Sequence, residues 1–173
     1  MSPGIPPTAL QRWTPPPYGW TKCNYYASHH MTNQHSGLGW ILRNSQGVFL
    51  NGGMDKYQGR YTSEEAECSA LIWALQSTWF LGYTKVIFEG DNINIVKLLN
   101  CDAANLRLRH YIHTIKSWIA MFSALKFTYR NRLSNQCADK LAKQEAVSES
   151  HWSLFYCCPN FLMSFVNNDS SVQ

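Results

Sequence analysis

Residues Thr62–Asp91 read T-S-E-E-A-E-C-S-A-L-I-W-A-L-Q-S-T-W-F-L-G-Y-T-K-V-I-F-E-G-D: a capped helix, a short turn and a buried strand ending on a carboxylate. Thr62 suits an N-cap, and Glu65 three positions later completes a capping-box pattern. Glu64 lies in the first turn, where a negative charge suits the helix dipole. Glu67 has no such ordinary task. It shares a helix face with Leu71, Ala74 and Thr78, the side that must be buried. The strand at 85–89 then delivers Asp91 at its C-terminal end, where open α/β sheets place their chemistry. Two inward carboxylates from separate elements are costly unless something positive lies between them. The pair therefore points to a metal or a substrate cation.

Outward from this core the chain divides into three parts. Residues 1–20 form a lead-in with six of the seven prolines, including Pro15-Pro16-Pro17, interleaved with Trp13, Tyr18 and Trp20. It reads as an extended segment that its aromatics pack onto the domain, rather than a free polyproline ligand. The domain proper spans 21–148. Thr21–Ser28 is a first strand, and Gly37–Arg43 and Gly47–Asn51 form a hairpin through N-S-Q-G, closed by Gly52-Gly53. After the helix at 62–80 and the strand at 85–89 come a helix at 92–100 and a longer one at 106–123, striped by Ile112, Ile115, Ile119 and Phe122. Leu125–Arg130 alternates as a strand, and a last helix runs from Ser134 or Asn135 to Glu145. The order βββ-α-β-α-α-β-α predicts an α/β fold: a mixed five-stranded sheet, a three-strand antiparallel meander plus two parallel strands, with helices on both faces. The tail, 149–173, is expected to dock through its apolar part and to fray over N-N-D-S-S-V-Q.

The chain has 173 residues, 45% hydrophobic and 15% charged, which excludes a disordered polyelectrolyte. Its net charge of +4 is uneven: residues 85–143 hold ten Lys and Arg against four Asp and Glu, whereas 144–173 hold three acids and no Lys or Arg. A basic middle fits a polyanionic partner, although a solvated basic face would give the same pattern. The six cysteines show no C-x-x-C and no zinc-type pairing with histidine. With no signal peptide in view, a reducing, intracellular compartment is expected, nucleus and cytoplasm not being distinguished. No apolar run is long enough to span a bilayer, since Leu154–Val166 is broken by Pro159 and Asn160.

Five motifs in order resemble the type 1 ribonuclease H fold, and more closely the plant reverse-transcriptase-like ribonuclease H domains found alone or at the ends of non-LTR retroelement polyproteins. They are W-T-P-P-P-Y-G-W-T-K-C-N before strand 1, S-G-L-G-W-I-L-R-N-S-Q-G in the hairpin, E-A-E-C-S-A-L-I-W-A-L, V-I-F-E-G-D and N-Q-C-A-D-K-L-A. The resemblance covers about Trp13 to Ala146. It implies that Glu67, Asp91 and Asp139 are catalytic and metal-holding acids for two Mg²⁺ (or Mn²⁺) ions, which cut the RNA strand of an RNA–DNA hybrid. Taken alone, Asp91 could be the N-cap of the next helix and Asp139 a helix-start acid.

The family's fourth acid, on strand 1, is absent. In N-Y-Y-A-S the aspartate's place is held by Tyr26, whose phenol, with an ordinary pKa near ~10, is a poor ligand for Mg²⁺ at neutral pH. Nor does the link R-N-R-L-S-N at 130–135 carry the histidine that assists product release in bacterial relatives. The expectation is thus a monomeric nucleic-acid-binding domain whose cleavage is weak or lost. Arg43, Lys85, Arg130, Arg132, Lys140 and Lys143 are candidate phosphate contacts to a hybrid or single strand, with Trp40 nearby. The alternative is an inactive nucleic-acid-binding or protein-interaction domain of retroelement origin.

Overall fold

The computed structural model describes residues 12–29, 35–58, 62–101, 104–145 and 152–170. Six strands and five helices follow one another as β1 (Thr21–Ser28), β2 (His35–Arg43), β3 (Phe49–Gln58), α1 (Ser63–Phe80), β4 (Lys85–Gly90), α2 (Ile93–Asn100), α3 (Arg109–Ile119), β5 (Ala124–Tyr129), α4 (Gln136–Glu145), β6 (Trp152–Phe155) and α5 (Asn160–Ser170). A 3₁₀ turn, Arg132–Asn135, leads into α4. The sheet is ordered β5-β4-β1-β2-β3-β6. Its β1, β4 and β5 are parallel, while β2, β3 and β6 run antiparallel to their neighbours.

Period-two alternation divides the side chains between two faces. Cys23, Tyr25, Leu38, Trp40, Leu42, Val86 and Phe88 pack beneath α1 and α3 in the larger core. Ile41 and Met54 meet Cys137, Ala138 and Leu141 of α4 and Leu162 and Val166 of α5 on the other side. Helix α1 begins as its sequence dictates. The Thr62 hydroxyl accepts from Glu65 N at 3.2 Å, and the Glu65 carboxylate accepts from Thr62 N at 3.0 Å. It stops at Gly82, whose φ of 90° is the left-handed conformation that suits a residue without Cβ.

Helix α4 rests on bare backbone. A Cβ on Gly39 would lie 2.5 Å from Ala138 O and 2.6 Å from Ala142 N, and one on Gly37 would run into Ala142 O. The glycines of S-G-L-G-W are thus what let α4 lie directly on β2. From the lead-in, Trp13 packs on this same face. Trp13 is buried, donates from Nε1 to Asn24 Oδ1 at 2.9 Å and lies 3.8 Å from the Arg43 guanidinium.

The structure corrects several expected boundaries. Gly52-Gly53 does not close the meander but lies inside β3, where Gly53 makes room for the Trp40 indole, 2.6 Å from where its Cβ would be. Helix α3 is shorter than 106–123, because Asn105 Oδ1 accepts from Leu108 N at 3.0 Å and holds the preceding residues in a turn. A sixth strand, β6, pairs with β3, so the sheet has one more edge strand than expected. Residues 167–170 do not fray: they complete α5, and Asp169 pairs with Arg43 at 2.6 Å. No helix among the described residues is long and apolar enough to cross a membrane.

Candidate active site

Four elements bring their polar ends to one edge of the sheet. Parallel strands β1 and β4 end together there, α1 lays its first turns over one face and α4 begins on the other. Glu67 is 4% exposed; its Oε2 accepts from Ala27 N at 3.0 Å, and its Oε1 is buried without a partner. Burial and the nearby charge of Asp91 hold the Glu67 carboxyl well above the usual range. Asp91 follows Gly90, against which the buried Tyr25 ring lies so closely that a Cβ would be 2.5 Å from it. Asn92, not Asp91, caps α2 by accepting from Asn94 N and Ile95 N. That leaves the Asp91 carboxylate free of the ordinary role. Burial raises the Asp91 pKa, Arg132 opposes the rise and Asp139 adds to it.

Asp139 stands in the first turn of α4, where its Oδ2 accepts from Lys143 at 3.0 Å while Oδ1 is buried and unpartnered. Tyr26 projects from β1 on the same side. Its phenol oxygen accepts from Arg132 Nη2 at 2.8 Å, and the guanidinium lies 5.6 Å from the ring centroid. Burial raises the Tyr26 pKa and Asp139 raises it further, against the pull of Arg132. Glu67, Asp91, Asp139, Tyr26 and Arg132 thus share one electrostatic neighbourhood, built from α1, the end of β4, α4, β1 and the 3₁₀ turn.

The expected phosphate contacts separate. Arg132 is in the site, and Arg130 is beside it, its backbone N–H donating to Gly90 O at 3.0 Å and its Nε 3.9 Å from Glu89 Oε1. Lys140 leans toward α5, 6.0 Å from the Phe165 ring. Lys143 is taken up by Asp139. Lys85 begins β4, at the end of the strand away from Asp91, and stacks 5.0 Å over Trp20. Arg43 is not a surface contact at all: it is fully buried, paired with Asp169 and stacked on Trp13. Trp40 is likewise fully buried and cannot stack on a base. The sequence reading missed the Tyr26–Arg132 bond, which joins residues 106 positions apart. Only an unexplained arginine just before the last helix could have hinted at it.

Whether this donor set suits a pair of divalent ions is decided by its geometry. Two orphaned carboxylate oxygens, Glu67 Oε1 and Asp139 Oδ1, are what hard cations would satisfy. The set goes no further. Among the described residues no three His, Cys, Asp or Glu side chains gather as metal ligands. A neutral phenol and a guanidinium fill the place expected for another carboxylate. The residues present do not fit two divalent ions.

Comparison with known proteins gives a consistent picture. The sequence matches the reverse transcriptase-like family over residues 24–145. A ribonuclease HI of Halobacterium salinarum is 29% identical over 109 residues, 62% of this chain and 54% of that protein. The chain therefore spans about half the length of this curated relative. The crystal structure of RNase H1 from Halobacterium salinarum superposes with a TM-score of 0.69 at 25% identity, covering 74% of this chain and 98% of the other. An N-terminal RNase H domain from Mycobacterium tuberculosis gives 0.65 at 19%, covering 73% and 92%. An RNase H1 solved in complex with an RNA/DNA hybrid gives 0.66 at 20%, covering 74% and 99%. The last two show the fold alone.

Proposed function

The chain belongs to the reverse transcriptase-like family, and from that premise we propose that it is a ribonuclease H type 1-like domain that holds RNA–DNA hybrid but cuts it weakly or not at all. One observation carries the reading: Tyr26, bonded to Arg132, stands beside Glu67, Asp91 and Asp139 where a further acid is expected. Attack of water on a phosphodiester calls for positive charge on both the entering and the departing oxygen. A three-acid set interrupted by a phenol is poorly suited to gather that charge from Mg²⁺ or Mn²⁺. The resemblance to relatives of ribonuclease H type supports the substrate class, and the basic stretch 85–143 supports a polyanion.

The test is cleavage of a labelled hybrid with Mg²⁺ or Mn²⁺ by the natural chain beside Tyr26→Asp, alone and combined with Arg132→Ala, since Arg132 would otherwise neutralise the new carboxylate. Cutting rises by about tenfold or more, ~1.4 kcal/mol of transition-state stabilisation, most in the double variant. If both variants bind hybrid and stay inert, the role given to Tyr26 is wrong. Robust cutting by the natural chain, abolished by Asp91→Asn, would instead mean that three acids suffice. The same phenol favours a second reading, a non-cutting binding or protein-interaction domain of retroelement descent. Affinity that does not fall with salt would point to protein partners, because phosphate contacts release counterions.

A further inference from the structure

The acids at this edge call for a cation, and the fold already supplies one. Arg132 is exposed, and it takes part in none of the ion pairs Lys22–Glu89, Arg43–Asp169, Arg130–Glu89 and Lys143–Asp139. Its one hydrogen bond there goes to the Tyr26 oxygen, which uses a single donor of a guanidinium that has five. The ring beneath and the bond at its edge fix the fork without neutralising it. Because the phenol oxygen accepts from Arg132, its own proton remains available to donate. Two donors, one of them cationic, therefore sit side by side at the mouth of the acidic edge. Asp91 and Asp139 are close enough to act on Arg132 and yet are not bonded to it.

Resting on the hybrid-binding reading, we propose that Arg132 and Tyr26 form a built-in phosphate holder that engages a non-bridging oxygen of a nucleic-acid phosphodiester without any divalent ion. A carboxylate that needs metal to tolerate a phosphate is replaced by a phenol that positions a guanidinium to take the phosphate directly. Planar, charge-assisted donation of this kind is what arginine does best. Arg132 is here a binding residue, and no bond is made or broken.

The test is equilibrium binding of a short fluorescent RNA–DNA hybrid to the whole chain, with Mg²⁺ or with EDTA, over a range of salt. The natural chain binds within about twofold in the two buffers. Arg132→Gln weakens binding about tenfold in EDTA, as expected for a lost charge-assisted bond, and lowers the salt slope by roughly one phosphate's share. Tyr26→Phe, which keeps the ring but frees the fork, gives a smaller loss. Lys126→Gln removes the same charge beside Trp20, away from Asp91, and changes little. The proposal is overturned if the natural chain binds only with Mg²⁺, if Arg132→Gln binds as the natural chain does, or if Lys126→Gln is equally harmful. Failure of the natural chain to bind hybrid in either buffer would sink the hybrid-binding reading itself, and this one with it.

Discussion

Glu67 shows what a functional position costs a fold. Its carboxylate is taken out of water with one oxygen on the Ala27 amide and the other on nothing. Burial, and then the charge of Asp91, push its pKa up, so the folded chain holds the proton more tightly than the unfolded one. Between the ordinary carboxylate range and that raised value, the folded state therefore binds more protons, and stability falls as pH rises through the window. Glu67→Gln keeps an oxygen for Ala27 N and removes the charge. Thermal melts should show it more stable than the natural chain by a few degrees at about pH 8, with the gain gone below about pH 4, where the carboxyl is protonated in both states. A loss of stability at pH 8 would mean that the acid is compensated by something beyond these contacts.

At the scale of the element, the decisive contact is α4 on β2, because α4 carries Asp139 and the turn before it carries Arg132. Gly39 is at van der Waals limits with Ala138 and Ala142, so a methyl there must push the helix off the sheet. Gly39→Ala is expected to destabilise the domain by about 1–3 kcal/mol in denaturant melts, the range for overpacking. It should also weaken the hold of Arg132 on hybrid; an unchanged melt would show that α4 rides more loosely than its contacts imply. Much of this layer was legible in the sequence. The capping box, the inward Glu67, the strand ending on Asp91 and the helix bearing Asp139 each follow from local pattern. The Tyr26–Arg132 bond, the burial of Arg43 and the extra strand β6 were not legible, since each depends on partners far away in the chain. Local pattern says which face a residue takes, not what meets it there.

Across the whole molecule, Trp13 ahead of β1 and Asp169 of α5 close over the same polar seam on the sheet face away from α1. Lys22 pairs with Glu89 at 3.2 Å, Asn24 donates to Glu89 at 2.9 Å and accepts from Trp13, and Arg43 lies between the Trp13 ring and Asp169 of α5. The Arg43 side chain is 0% exposed and Asp169 10%. A buried pair of this kind adds little net stability over an apolar substitute, but removing one partner strands the other charge. Cys137, whose thiol burial pushes up to about 12, is a neutral neighbour and cannot replace the lost carboxylate. Asp169→Ala is therefore expected to cost about 3–5 kcal/mol in denaturant unfolding, a large share of the stability of a domain this size. Adding Arg43→Met to that variant removes the stranded charge and should recover most of the loss. Were the double variant no more stable than Asp169→Ala alone, the clasp between α5 and the sheet would have to rest on the apolar contacts of Leu162 and Val166 rather than on the ion pair.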